Sequence, residues 1–454
     1  MPLWMYEIEG ARPLQGRVRI SGSKNASLAL LAAALLADGP STLRNVPILR
    51  DTLHMIRLIE HLGAHVTMCG NAVIVDPAGF SVDLVPYDIM SKMRASFYAM
   101  GPMLAKLGRA RVSLPGGCAI GDRPVDLHLE GFKALGAGLS RNAGYIHARH
   151  RGLVGARLSL MGPNGTSVGA TINVMMVAAF AEGSTTIDDA AREPEVVEVG
   201  MMLQAMGAKI DGLGTNRIRV EGVNKLRPVD WTVSPDRIEA GTYLIGALAT
   251  HGDVTLENVS VETLEPVITE AVLWGADFSE PEAGCLRVRR GKDAKRPLKI
   301  VTEPWPGFPT DMQSVFTTLL ALTPGVSQIR ETIYQDRFNQ VPELNRLGAK
   351  VSREKSLVSI EGVAALQGAA VMASDLRAGA ALVMAALAAH GTSQVRRVYH
   401  VERGYEYMDS KLRQLGAVVR RVPEVEADPG LAQAATDTFD AQVEALSAGR
   451  RMEV

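Results

Sequence analysis

Two kinds of helical pattern alternate along this chain. The first is apolar on nearly every side and rich in Ala, Leu and Met, and each example runs through a glycine into a short β-rich segment: ALLADGPSTLRNV, MLAKLGRARVSL, AAFAEGSTTID, ALATHGDVTLENV, LLALTPGVSQIRET and AALAAHGTSQVRRV. A helix without a polar face belongs in a core. The glycines at these junctions, Gly39, Gly108, Gly183, Gly252, Gly325 and Gly391, are expected to supply the left-handed residue that ends each helix. The second kind is amphipathic, as in DTLHMIRLIEHLGA, and closes on an apolar-Gly-Ala phrase before another strand such as HVTM, KIDG or KVSR. That phrase recurs at Leu62-Gly63-Ala64, Leu135-Gly136-Ala137, Met206-Gly207-Ala208, Trp274-Gly275-Ala276, Leu347-Gly348-Ala349 and Leu415-Gly416-Ala417.

Both series step by about 70 residues and stay in phase through six turns of the pattern, the signature of a tandemly repeated packing unit. The pattern predicts an α/β protein of six α+β repeats with helices buried and sheets outside. Residues 421 to 454 lie beyond the last repeat, are polar and acidic at first, and read as a loosely attached tail. A repeat specifies fold rather than chemistry, so function has to come from the segments that break it.

Composition narrows the field. The chain has 454 residues, with 48 Lys plus Arg against 49 Asp plus Glu, so no global field draws it to nucleic acid or to an anionic membrane. The longest apolar run falls short of the roughly 18 residues of a membrane span, and the start, MPLWMYEIEGARP, has no export-signal pattern. A cytoplasmic protein with small-molecule partners is the expectation. The three cysteines, Cys69, Cys118 and Cys285, are too scattered for a disulfide framework or a zinc site, which leaves room for one reactive thiol.

Seven segments stand out as candidate chemistry. In LPGGCAIGDRPVDLH, Cys118 sits in a glycine-rich loop between Pro115 and Pro124 with Arg123 nearby, the composition of a lid; a guanidinium beside a thiol lowers its pKa. In SGSKNASLALL, Lys24 and Asn25 stand where a turn enters an apolar helix, a place suited to an anion. Arg94, Arg377 and Arg403 occupy otherwise apolar settings and call for a planar anion or a carboxylate; Asp375 and Glu402 are the nearby candidates for the last two. In WPGFPTDMQSVF, Asp311 or Thr310 is either a helix cap or, in the case of Asp311, a base. GPNGTSVGATINV can offer backbone N–H groups to a phosphate.

Taken in order, SGSKNA, MRAS, PGGCAIGDRPVDLH, SVGAT, AAREPE, SPDRIEAGTY, PGFPTDMQ, VPELNRLGA, DLRAGAAL and RGYE resemble the UDP-N-acetylglucosamine 1-carboxyvinyltransferases over residues 4 to 420. The resemblance implies a two-domain inside-out α/β barrel with three repeats per domain and an active site in the cleft between them. One domain would be residues 1 to 22 with 235 to 420, the other 23 to 234 with the lid at 114 to 124. It also implies transfer of the enolpyruvyl group of phosphoenolpyruvate to the sugar 3-hydroxyl through a tetrahedral ketal, with loss of phosphate, as the first committed step towards peptidoglycan. Lys24, Arg123 and Arg403 match positions for phosphoenolpyruvate, with Arg94 and Arg377 nearby. Cys118 matches the lid thiol that protonates C3 and is alkylated by fosfomycin, and Asp311 matches the base. Asn25, Ser167, Val168, Gly169, Asp236 and Ile333 match positions for the nucleotide sugar, and Asp375 belongs with the substrate-binding set. No cofactor or metal is implied.

The chain departs from the pattern at Gly165, where many relatives carry lysine, and at Asp336, whose charge calls for pairing with Arg337. Two alternatives are a 5-enolpyruvylshikimate-3-phosphate synthase, which lacks the lid cysteine, and a non-catalytic nucleotide-sugar-binding paralogue. The joint presence of Lys24, Cys118, Asp311 and Arg403 argues against the second.

Overall fold

The computed structural model describes residues 3–114, 125–163, 165–292, 295–424 and 452–453. The chain divides into two compact units: a discontinuous one that joins the residues through Ser21 to those from Pro235 to Glu424, and a second, essentially continuous one from Gly22 to Ser234, to which Met452–Glu453 also belongs.

Each unit contains three four-stranded sheets of one topology, to one of which a further short strand adds. In the continuous unit, Leu84–Val85 runs parallel to Arg109–Ser113, which pairs antiparallel with Tyr145–Arg149, itself antiparallel to Gly138–Asn142. The same order recurs in the sheet of Arg157–Ser159, Ser184–Asp188, Arg217–Glu221 and Lys209–Asp211. The discontinuous unit repeats it with Gln15–Arg19, Asp253–Glu257, Cys285–Arg290 and Ala276–Ser279, and again with Lys299–Val301, Val326–Arg330, Leu357–Glu361 and Lys350–Glu354. These are separate sheets, so the inside-out arrangement is three sheets around buried helices rather than one closed ring of strands among the described residues.

Besides the sheet that Gln15–Arg19 completes beside Asp253–Glu257, two more are completed by strands remote in sequence. Trp4–Glu9 lies between Thr392–Arg396 and Val418–Pro423, so the start of the chain supplies a strand of the sixth repeat. Asp230–Thr232 runs parallel to Ser41–Arg44 and completes the first sheet of the continuous unit. The expectation of a loose tail from residue 421 is corrected at its two ends only, the rest of it lying outside the described residues: Arg421 pairs with Tyr6 inside the strand, and Met452–Glu453 adds antiparallel to His65–Cys69. An apolar-polar alternation as short as VVRRVP does not reveal a partner more than four hundred residues away.

The six apolar helices are the cores. Lys24–Ala34, Met100–Leu107 and Val168–Ala178 belong to the continuous unit, and Arg237–Ala249, Gln313–Ala321 and Leu376–Ala388 to the discontinuous one. Nearly every residue in them is buried, as the lack of a polar face requires. Small residues let them approach closely: a Cβ on Gly246 would meet Met384 Sδ at 2.5 Å. The amphipathic helices, such as Arg50–His61 and Pro194–Met206, end on the apolar-Gly-Ala glycines, all six of which take positive φ, from 86° to 113°.

The other glycine series follows the expectation at Gly108, Gly183, Gly325 and Gly391 but not at Gly39 and Gly252. At the latter, His251 takes the left-handed conformation (φ 59°), and Gly252 is there because a Cβ would lie 2.2 Å from the Leu14 carbonyl oxygen.

Candidate active site

Within each unit, most of the described residues singled out in the sequence lie where buried helices begin. In the continuous unit, the Ser23 hydroxyl caps Lys24–Ala34 by accepting from Ala26 N at 3.2 Å. Lys24 is the first residue of that helix, buried, with Nζ 3.4 Å from Asp51 Oδ2. A lysine held there adds a full charge to the positive end of the helix dipole. Asn25 follows it, half-buried.

Arg94 opens the 3₁₀ turn Arg94–Ala99 that leads into Met100–Leu107. Ser167 caps Val168–Ala178 by accepting from Ala170 N at 3.2 Å, which places Val168 and Gly169 as its first two residues. Gly165 has φ 94° in the hairpin of Met161–Gly162 with Gly165–Thr166, a conformation that L side chains rarely adopt.

A histidine that the sequence reading passed over joins two of these helix starts. His128 is buried on helix Asp126–Ala134, its ring edge-on to Phe97 at 4.8 Å. The Asn173 side chain accepts from Gly101 N at 3.1 Å, which fixes its amide to donate to the Phe97 carbonyl and to His128 Nδ1, both at 3.0 Å. Nδ1 is therefore the acceptor and Nε2 carries the proton. Burial, reinforced by the Arg94 charge, pushes this imidazole down to about 3, so it is neutral at physiological pH. A Cβ on Gly169 would come within 3.1 Å of the ring, a tight contact that requires the ring to shift by a few tenths of an ångström.

In the discontinuous unit the helix starts are tied together by charge. Asp236 caps Arg237–Ala249 by accepting from Ile238 N and Glu239 N, and Asp375 caps Leu376–Ala388 by accepting from Arg377 N and Ala378 N. Asp311 lies in the 3₁₀ turn Thr310–Met312 before Gln313–Ala321. Its Oδ1 meets Arg337 at 2.6 Å and its Oδ2 meets Arg377 at 2.9 Å. Arg377 also donates to the Tyr405 hydroxyl at 3.1 Å, with its guanidinium over that ring, and the hydroxyl shares a hydrogen bond with Thr242 at 3.0 Å. Burial works against the Arg377 charge, but Asp311, Tyr405 and Asp236 outweigh it and its pKa is raised.

Three pairings differ from expectation. The buried partner of Arg377 is Asp311 rather than Asp375, whose Oδ1 is occupied in capping. The cap reading of Asp311 gives way with it, because Pro309 occupies the cap position and both Asp311 oxygens face guanidiniums. Glu402 pairs with Arg421 at 2.9 Å. Asp336 pairs with Arg353 at 2.5 Å, which frees Arg337 for Asp311.

Arg403 ends the 3₁₀ turn Val398–Arg403, where its charge adds to burial in pushing His400 down to about 4. Ile333 N donates to Glu331 at 2.8 Å. Cys118 and Arg123 lie outside the described residues, as does the expected lid from residue 115 to 124. Of the other thiols, Cys69 is exposed and Cys285 buried. Among the described residues no group of three or more His, Cys, Asp or Glu side chains is arranged to hold a metal ion. No helix among them is long and apolar enough to cross a membrane.

Residues 8–412 match the family model of EPSP synthase (3-phosphoshikimate 1-carboxyvinyltransferase). The UDP-N-acetylglucosamine 1-carboxyvinyltransferase 2 of Carboxydothermus hydrogenoformans is 49% identical over 419 residues, 92% of this chain and 99% of that protein. The UDP-N-acetylglucosamine 1-carboxyvinyltransferase of Sorangium cellulosum is 48% identical over 91% of this chain and 98% of its own length. Among solved structures, the enolpyruvyl transferase NikO from Streptomyces tendae superposes with a TM-score of 0.85 at 24% identity, over 94% of this chain and 100% of that one. An EPSP synthase from Acinetobacter baumannii superposes with a TM-score of 0.72 at 18% identity, over 92% of this chain and 100% of that one.

Proposed function

Because the chain belongs to the EPSP synthase family of 1-carboxyvinyl transferases and matches UDP-N-acetylglucosamine enzymes of that family over 91–92% of its length, we propose that UDP-N-acetylglucosamine is its acceptor. It is an enolpyruvyl transferase that moves the carboxyvinyl group of phosphoenolpyruvate to the sugar 3-hydroxyl in peptidoglycan precursor synthesis.

Chemistry of this kind needs fixed cations for a small multiply charged anion, a base for the hydroxyl and an acid for C3. Lys24, Arg123 and Arg403 take the phosphoenolpyruvate charge, with Arg94 and Arg377 supporting. The buried Lys24 at a helix start fits that role, because a fixed cation needs no reorganisation when the anion arrives. Asp311 takes the hydroxyl proton as the oxygen attacks C2, and Cys118 delivers a proton to C3. The tetrahedral ketal then loses phosphate, and a proton leaves C3 to restore the double bond. Asn25, Ser167, Val168, Gly169, Asp236, Ile333 and Asp375 hold the nucleotide sugar. In support, Ser167, Asp236 and Asp375 each cap a buried helix, so their backbone is held in one conformation.

The observation that carries the reading is the near-complete match to enzymes of one named acceptor. The test is inorganic phosphate release from phosphoenolpyruvate with UDP-N-acetylglucosamine, with shikimate 3-phosphate and with no acceptor. Release confined to the nucleotide sugar is expected; release confined to shikimate 3-phosphate refutes the acceptor. Fosfomycin is expected to block the reaction and to alkylate Cys118 and not Cys69 or Cys285, a labelling that Cys118→Ser abolishes.

A further inference from the structure

One buried carboxylate near this site has no part in the roles above. Glu331 follows strand Val326–Arg330 and is 0% exposed. Its Oε1 accepts from Ile333 N at 2.8 Å, from Tyr334 N at 2.9 Å and from Thr302 Oγ1 at 2.9 Å. Its Oε2 accepts from Thr310 Oγ1 at 2.9 Å. Four donors on one carboxylate are what its removal from water demands, but they do not explain why a carboxylate is there.

The identity of the donors does. One arm of the group holds the backbone of Ile333. The other holds Thr310, whose hydroxyl accepts from Arg337 Nη1 at 3.1 Å while Arg337 Nη2 holds Asp311 at 2.6 Å. Thr310 Oγ1 thus donates to Glu331 and accepts from Arg337, a relay with a fixed direction.

Resting on the reading of the site given above, we propose that Glu331 is a positioning residue for the transfer step, fixing the Asp311 carboxylate through Thr310 and Arg337 against the loop that carries Ile333. A base has to sit within hydrogen-bond reach of the proton it removes, and a misplacement of about 1 Å can cost on the order of a hundredfold in rate.

The two arms can be separated. In Glu331→Gln the amide oxygen can take the Oε1 place and keep the bonds to Ile333, Tyr334 and Thr302. The amide NH2 then faces Thr310 Oγ1, which already receives a hydrogen from Arg337 and has lost the acceptor for its own. Only the Asp311 arm is disturbed.

The expected result is a fall in kcat of roughly tenfold or more with KM for UDP-N-acetylglucosamine within about twofold of wild type. Thr310→Val cuts the same arm from the other side and is expected to give the same split. The double variant is expected to be no slower than the slower single one, because both remove one relay. Should the glutamine variant not fold, Thr310→Val carries the kcat and KM measurement alone.

Wild-type kcat in a folded variant, a loss that follows the folded fraction, or additive losses in the double variant would each overturn the proposal. If the wild-type chain releases no phosphate with UDP-N-acetylglucosamine, the acceptor reading itself has failed. That outcome is read before any variant is made.

Discussion

Removal of Asp311 is expected to destabilise the discontinuous unit for a reason separate from catalysis. Its two guanidinium partners are deeply buried, with side-chain exposures of 2% for Arg377 and 5% for Arg337, whereas Asp311 itself is 22% exposed. Asp311→Ala therefore leaves two buried cations without the anion they share. Deleting one partner of a buried ion pair costs about 3–5 kcal/mol. Here Arg377 keeps its bond to Tyr405 and Arg337 keeps Thr310, so the lower end applies, about 3 kcal/mol. For a unit of this size, at about 2–4 °C per kcal/mol, the melting transition should fall by roughly 6–12 °C.

The decisive comparison is the double variant Asp311→Ala with Arg377→Met, which removes one stranded cation and fills its place with an unbranched apolar side chain. It is expected to melt above Asp311→Ala alone, with a coupling of about 1–3 kcal/mol, although it carries one substitution more. Calorimetry on the full chain follows the transition. An unchanged melting temperature in Asp311→Ala, or a double variant lowered by the plain sum of the two single effects, would refute the argument. A loss of turnover in Asp311→Ala counts as evidence for a base only at temperatures where the variant is folded and still binds the nucleotide sugar.

Two further outcomes test the continuous unit. His128 is pushed down to about 3 in the fold against an ordinary value of about 6.5, so its contribution to stability is complete above pH 6.5 and is lost as pH falls from there towards 3. The loss is about 1.4 kcal/mol per pH unit, and His128→Gln should melt with a shallower dependence between pH 7 and 5; an unchanged slope removes the claim that the buried imidazole stays neutral. Gly63 and Gly207 share positive φ (98° and 111°), but a Cβ on Gly63 would meet the Gly79 carbonyl oxygen at 2.3 Å, while one on Gly207 meets nothing within 4 Å. Gly207→Ala should therefore cost on the order of 1 kcal/mol from the backbone alone and Gly63→Ala clearly more, and equal melting temperatures would contradict that ranking.

The repeats, the buried and amphipathic helices and the helix start that holds Lys24 were legible in the linear pattern, whereas the caps at Ser167, Asp236 and Asp375 were recognised only in the structure. Each legible feature depends on neighbours within one or two turns: an apolar face on every side, a glycine at the end. The same locality explains what was missed. Arg377 could be recognised as a buried cation in need of a partner, yet the nearby Asp375 was the natural guess and Asp311, 66 residues away, was the partner. Once Asp375 caps its own helix, its Oδ1 is already committed to two backbone N–H groups, and only the packing of helix Leu376–Ala388 against Gln313–Ala321 brings another carboxylate within reach. His128 and Glu331 carry no signal of their own in sequence, because a buried polar group is identified by the donors and acceptors around it.

Strand pairing divides in the same way. The strand that follows each apolar-Gly-Ala phrase was expected from the sequence, and the structure pairs it with a strand a few residues on. The strands that complete the sheets were not. Tyr6 opposite Val395 and Asp230 opposite Thr42 are pairings that no local periodicity encodes. Period and composition, which act over one or two turns, determined the six repeats and the ends of the helices; the burial of backbone polar groups, which every sheet edge requires, determined how the first strand and the last enter the units.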